Sequence, residues 1–273
     1  MRRLNLRDPM HARAASRPFV VVTGGSDGIG LAIAARYLDA GDGILIVARD
    51  PQRLAAAQSS LGSHRVEILA LDVTEPTAPE TIEARLASLG GYCGTLVNSA
   101  GIGLSGPFTS HASDDIDGLI RLNVAAATRL MRHVLPGMIA RGRGTVINVA
   151  SLGGLVPGPY QAAYYASKAY LLSLSEAVAA EVAGSGVTVT AVAPGPVATS
   201  FHRHMGSEAD LYLKLLPVQR PATVARWTKL GARLGARVVV PGVLQSIGAL
   251  ALRLLPHRIS VPLIAMLLRP RRR

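Results

Sequence analysis

Short runs of β-branched and aliphatic residues alternate along this chain with longer stretches in which apolar residues recur every three or four positions. Phe19 to Val22, Gly43 to Ala48, Arg65 to Leu71, Thr95 to Val97, Gly144 to Ala150 and Gly186 to Val192 read as strands. They are short and apolar on both sides, the pattern of strands covered on two faces. Between them, Leu31 to Leu38 and the stretches of roughly 112–140 and 159–184 carry helical spacing. Strands alternating with helices over this length predict an α/β fold, one doubly wound parallel sheet of about seven strands in a single domain.

Composition agrees with one domain: 273 residues, 49% hydrophobic and 17% charged, suffice for a large core. No linker or repeat divides the chain. Residues 1–17 carry Arg2, Arg3, Arg7, Arg13 and Arg17 without an apolar core, so they are expected to be disordered and do not resemble a secretory signal. Cys93 is the one cysteine, and the seven histidines lack ligand spacing, so neither a disulfide nor a metal site is expected.

The net charge of +12 changes the picture, because it is uneven. Residues 220–273 hold eleven Arg or Lys and no Asp or Glu, leaving 18 basic against 17 acidic residues elsewhere. The extension 241–273 mixes that charge with apolar stretches broken at Pro256 and Pro262. This suits a helix or helix pair lying at an anionic membrane surface; a cover for the substrate pocket or a subunit contact suits it equally. Nucleic acid is not an expected partner, since only 4% of residues are aromatic.

The candidate chemistry begins at Thr23-Gly24-Gly25-Ser26-Asp27-Gly28-Ile29-Gly30, a glycine-rich turn between strand and helix, the context in which backbone N–H groups cradle a pyrophosphate. Farther on, Tyr164 and Lys168 are four residues apart in a helical stretch and share a face. A phenol is a poor acid or base at neutral pH unless a cation favours phenolate, and Lys168 is placed to be that cation. Ser151, just past an apolar strand, supplies a second donor to orient a substrate oxygen. Arg49 ends the second strand where an acidic residue would select a ribose 2′-hydroxyl, so a 2′-phosphate is expected there, with Asp50 pointing elsewhere.

These motifs, with Asn98-Ser99-Ala100-Gly101, Asn123 and Pro194-Gly195, resemble the short-chain dehydrogenase/reductase family in order and spacing over roughly residues 18–200. The resemblance implies a Rossmann-type catalytic domain (18–240) with the Ser-Tyr-Lys active site. It also implies that Asn123 joins a proton relay through water to Lys168, that Asp72 and Val73 meet the adenine, and that Val197 and Thr199 hold the nicotinamide end. Gly24, Ser26, Asp27, Gly28, Ile29, Asn98, Ala100, Gly101, Pro194 and Gly195 complete the expected cofactor site. Asp27 stands where the family has a small or basic residue, and its side chain is expected to point to solvent.

The resulting reading is an NADP(H)-dependent oxidoreductase, with NAD(H) the second choice, interconverting a ketone or aldehyde with an alcohol. A lid from about His202 to Pro221 is apolar enough to suggest a lipophilic small-molecule substrate. The resemblance further implies homodimers or homotetramers built through the two long helices; with an N-terminus unlike a secretory signal, the expected location is the cytoplasm, peripheral to a membrane if the basic extension binds one. The rival is a catalytically silent dinucleotide-binding module that senses redox state or anchors a partner.

Overall fold

Seven strands form the centre: β1 (Arg17–Thr23), β2 (Gly43–Ala48), β3 (Val66–Ala70), β4 (Gly91–Asn98), β5 (Gly144–Val149), β6 (Val187–Val192) and β7 (Val238–Val239). All pair in parallel, in the order β3-β2-β1-β4-β5-β6-β7. This is the Rossmann-type sheet the alternation predicted. The computed structural model describes residues 17–207 and 210–269. The expected disorder of the first residues thus lies outside the described residues, except at Arg17, which already belongs to β1 and donates its N–H to Gly90 O at 3.1 Å.

Period-2 alternation decides which layer each strand residue serves. Val20 and Val22 face α1 (Gly28–Leu38), α2 (Pro51–Leu61) and, from far along the chain, a helix at Pro221–Arg233. Phe19 and Val21 face the opposite layer, made of α3 (Ala78–Ser88), residues 127–140 and residues 162–181. Burial on both faces is why these strands lack a polar stripe. The strand order reverses between β1 and β4, so the crevice at their C-terminal ends is where an open α/β sheet binds ligand.

The long helix expected over 112–140 is α4 (Ser113–Ile120) and α5 (Ala127–Ala140), joined by a π-helical turn at Arg121–Ala126 that carries Asn123. A widened turn of this kind is frequent at functional sites. After α6 (Ala162–Glu181) and β6 come two short helices, α7 (Phe201–Met205) and α8 (Leu211–Leu215), then α9 (Pro221–Arg233). The C-terminal segment forms α10 (Val243–Leu254) and α11 (His257–Leu268). Pro256 separates them as expected, but Pro262 lies inside α11 and does not break it. The carbonyl it leaves without an N–H partner belongs to exposed Arg258, where water can satisfy it.

Candidate functional site

Construction of the site starts at the turn after β1. Thr23 Oγ1 accepts from the backbone N–H groups of Ser99 and Ala100 at 3.2 and 3.3 Å, drawing the ends of β1 and β4 together. That closeness requires Gly24: its φ is 64°, and a Cβ there would sit 2.7 Å from Ala100 Cα. A Cβ on Gly30 would collide with the Gly24 carbonyl oxygen. The turn is therefore a backbone cradle into which side chains cannot intrude, the fit a pyrophosphate needs.

A cavity of about 620 Å³ runs from this turn across the strand ends to the C-terminal helices. Every predicted site residue lines it except Asn98 and Asn123. Asn98 is 4% exposed and turns into the sheet, donating through Nδ2 to Asn148 Oδ1 at 2.9 Å and Ala127 O at 3.3 Å. Its side chain thus braces β4 against β5 and does not face the cavity. The Asn123 side chain is equally committed, accepting from Ile102 N at 2.9 Å and donating to Ile102 O at 2.8 Å and Ser167 Oγ at 3.0 Å. Asn123 Oδ1 and Lys168 Nζ both lie against Gly101, so the side chain fixes the loop after β4 beside the lysine.

Ser151, Tyr164 and Lys168 meet at the ends of β5 and β6. Lys168 is 6% exposed and donates from Nζ to Val149 O at 2.8 Å, with Nζ 5.7 Å from the Tyr164 ring centroid. Burial lowers its pKa to about 8. Tyr164 keeps some exposure as a residue, but its phenol is desolvated in the cavity, which pushes its pKa well above the usual value. A hydrogen bond with the Ser151 hydroxyl pulls it back, and Tyr212 raises it further. Burial is the largest influence on the phenol in this arrangement, and Ser151 opposes it. Ser151 Oγ also accepts from Gly153 N at 3.1 Å, which fixes the hydroxyl at the strand end.

At the adenosine side, Arg49 is 70% exposed along its side chain and lies 3.8 Å from Asp72 Oδ2. Asp72 also caps the next segment, accepting from Thr74 N at 2.9 Å and Thr74 Oγ1 at 2.8 Å. Asp50 points elsewhere as expected, capping α2 through Gln52 N and Arg53 N. The Asp27 side chain is 44% exposed, and its carboxylate is also bonded within the chain. Its Oδ1 accepts from Gly28 N at 2.6 Å, while Oδ2 accepts from Arg53 Nη2 at 3.0 Å and Ser200 Oγ at 2.5 Å. A half-exposed carboxylate thus caps the α1 N-terminus, where free N–H groups and the helix dipole favour an anion, and pairs with Arg53 at the rim.

Residues of the expected lid line the cavity, among them His202, Met205, Tyr212 and Leu216, while Phe201, Gln161 and Arg53 were not anticipated. Phe201 of α7 packs on Tyr164 with ring centroids 5.5 Å apart, and the Tyr212 hydroxyl lies 3.0 Å from His202 Nδ1. Gln161 donates to Asp210 Oδ2 at 3.2 Å; burial raises Asp210 to about 6, and this bond holds it lower than it would otherwise be. Of those not anticipated, Arg53 had a local signal, four residues after Arg49 on the first turn of α2. Phe201 and Gln161 meet the site because α7 and α8, in the stretch read as a lid, fold back over the strand ends. Among the described residues no cluster of His, Cys, Asp and Glu is suited to hold a metal.

Residues 18–210 match the family model described as short chain dehydrogenase. A short chain dehydrogenase of Pseudocercospora fijiensis is 38% identical over 181 residues, covering 65% of this chain and 59% of that protein. The D-beta-hydroxybutyrate dehydrogenase of Rhizobium meliloti is 36% identical over 183 residues, 66% of this chain and 71% of its relative. Among solved structures, a short-chain dehydrogenase from Sphingobium yanoikuyae in complex with NADPH superposes with a TM-score of 0.76 at 32% identity, over 86% of this chain and 92% of its own.

Proposed function

Because the chain belongs to the short-chain dehydrogenase family, we propose that it is an oxidoreductase interconverting a carbonyl with an alcohol at the expense of NADP(H). The observation that carries this reading is the meeting of Ser151, Tyr164 and Lys168 in the cavity that begins at the glycine cradle. The dinucleotide, held along the cradle and the strand ends, supplies or accepts the hydride at the substrate carbon. Tyr164 gives or takes the proton at the substrate oxygen, and Ser151 donates a hydrogen bond to the same oxygen. Lys168 holds the ribose and keeps the phenol supplied with protons. The role of Asn123 is to position: its side chain is spent on Ile102 and Ser167, so any part in a relay passes through its main chain.

The choice of NADP(H) rests on Arg49 and Arg53, two guanidinium groups at the adenosine rim that suit a 2′-phosphate. Desolvation around Tyr164 and the apolar roof of the cavity favour a lipophilic substrate. We place the enzyme in the cytoplasm as a homodimer or homotetramer; the exposed apolar side chains Ile139 on α5 and Tyr170 on α6 support contacts through that layer. The test is NADPH oxidation with lipophilic ketones, comparing wild type with Tyr164→Phe. Turnover is expected to fall about 10²- to 10⁴-fold with NADPH binding retained; unchanged turnover would remove Tyr164 from the chemistry.

A further inference from the structure

We propose that α10 and α11 dock this protein onto an anionic lipid bilayer, so that the wall of the cavity is the element that touches the membrane. Val243, Leu244, Ile247, Leu250 and Leu254 of α10 are 60% to 75% exposed, and their spacing puts them on one helical stripe. On α11, Ile259, Leu263 and Met266 are also exposed. Contiguous apolar stripes of this extent are uncommon on the free surface of a monomer and mark a contact surface.

The inner sides of the same helices face the cavity. Ile264 and Leu268 are buried with Val156, and Leu252 and Leu267 pack with Tyr165 and Tyr212 around them. These C-terminal side chains line the cavity that holds Tyr164. One helix pair therefore separates the candidate reaction centre from the outer surface by a single layer. It also lies beyond the part of the chain matched by the family model, which ends at residue 210.

Charge selects the occupant. Residues 220–273 carry eleven basic and no acidic side chains; Arg258 and Arg269 flank the stripes, and Arg253 beside them pairs with Glu176 at 3.4 Å. In a two-fold contact the same patch meets itself, so a second copy would bring this cationic fringe against its like. An anionic bilayer surface attracts the fringe and accepts the apolar stripe together. Twelve-residue helices, about 18 Å long, are too short to cross, and among the described residues no helix is long and apolar enough to span a membrane. The docking is therefore interfacial. Resting on the oxidoreductase reading, the substrate is a carbonyl or alcohol that partitions into lipid and reaches the cavity beside this wall.

Flotation of the full-length protein with vesicles of phosphatidylcholine alone, or mixed with phosphatidylglycerol, tests the docking. Wild type is expected to float with the mixed vesicles, less so at high salt, and weakly with phosphatidylcholine alone. The variant Leu244→Glu/Ile247→Glu/Leu254→Glu changes only exposed residues and should bind vesicles at least about tenfold more weakly, with thermal midpoint and NADPH binding unchanged. A folded wild type that stays off the mixed vesicles, or a variant that floats as well as wild type, overturns the proposal. A wild-type dimer that does not float and that the triple substitution turns into a monomer assigns the face to a second copy. Flotation is read without turnover, so absence of NADPH binding or activity would undo the oxidoreductase reading and leave the docking result standing.

Discussion

Lys168 shows how much of a residue's chemistry its surroundings set. An exposed lysine titrates near 10.5; burial brings this one to about 8, because the charged form is desolvated and its one protein acceptor is Val149 O. The folded state thus holds that proton more weakly than the unfolded chain. Lys168 costs stability at neutral pH, and the cost is relieved as pH rises from about 8 toward 10.5. With three lysines in the chain, ¹³C-lysine NMR of the cofactor-free protein should resolve one signal titrating near 8 that is absent from Lys168→Met. A Lys168 midpoint near 10.5 would contradict the burial account. The two rim arginines have a separate consequence. Arg49→Asp should lower NADPH affinity about tenfold or more and leave NADH binding equal or better, since one charge-assisted phosphate contact contributes on the order of 1.5–3 kcal/mol. Titration of both nucleotides against protein fluorescence checks it, and an unchanged preference would remove Arg49 from cofactor selection.

At the scale of elements, the strand-turn-helix unit of β1, the glycine turn and α1 was legible because each part has a local cause. The β-branched run makes a strand, the glycines supply conformations that other residues resist, and the apolar helical spacing of Leu31 to Leu38 makes the helix; the cap supplied by Asp27 was not anticipated. Gly30 is the sharpest test of that unit. A Cβ there meets backbone, the Gly24 carbonyl, which cannot rotate aside. Gly30→Ala should cost about 1–3 kcal/mol of stability and weaken dinucleotide binding, measured by denaturant unfolding and fluorescence titration; a variant with wild-type stability would show that the turn can relax. Less legible was the π-helical turn at Arg121–Ala126, because an asparagine in a helical pattern gives no sign of how many residues the turn will hold. Pro262 misled for a related reason: proline opposes helix in sequence, yet a carbonyl facing water tolerates it.

For the whole molecule, topology gathers the site: the order β3-β2-β1-β4-β5-β6-β7 brings the glycine turn, Ser151 and Pro194-Gly195 to one edge of the sheet. By itself the sequence determined the parallel α/β architecture, the cradle glycines, the Ser151, Tyr164 and Lys168 group and the basic C-terminus, because each is written in periodicity, backbone chemistry or spacing within a few residues. Tertiary structure alone decided the rest. Asp27 and Ser200 bond across 173 positions of sequence, Asn98 turns inward to Asn148, and burial raises the Tyr164 phenol. The single helix pair that both roofs the cavity and presents an apolar outer face belongs with these. Such outcomes depend on which distant surfaces close on one another and how much water they exclude, and no local pattern of residues encodes that.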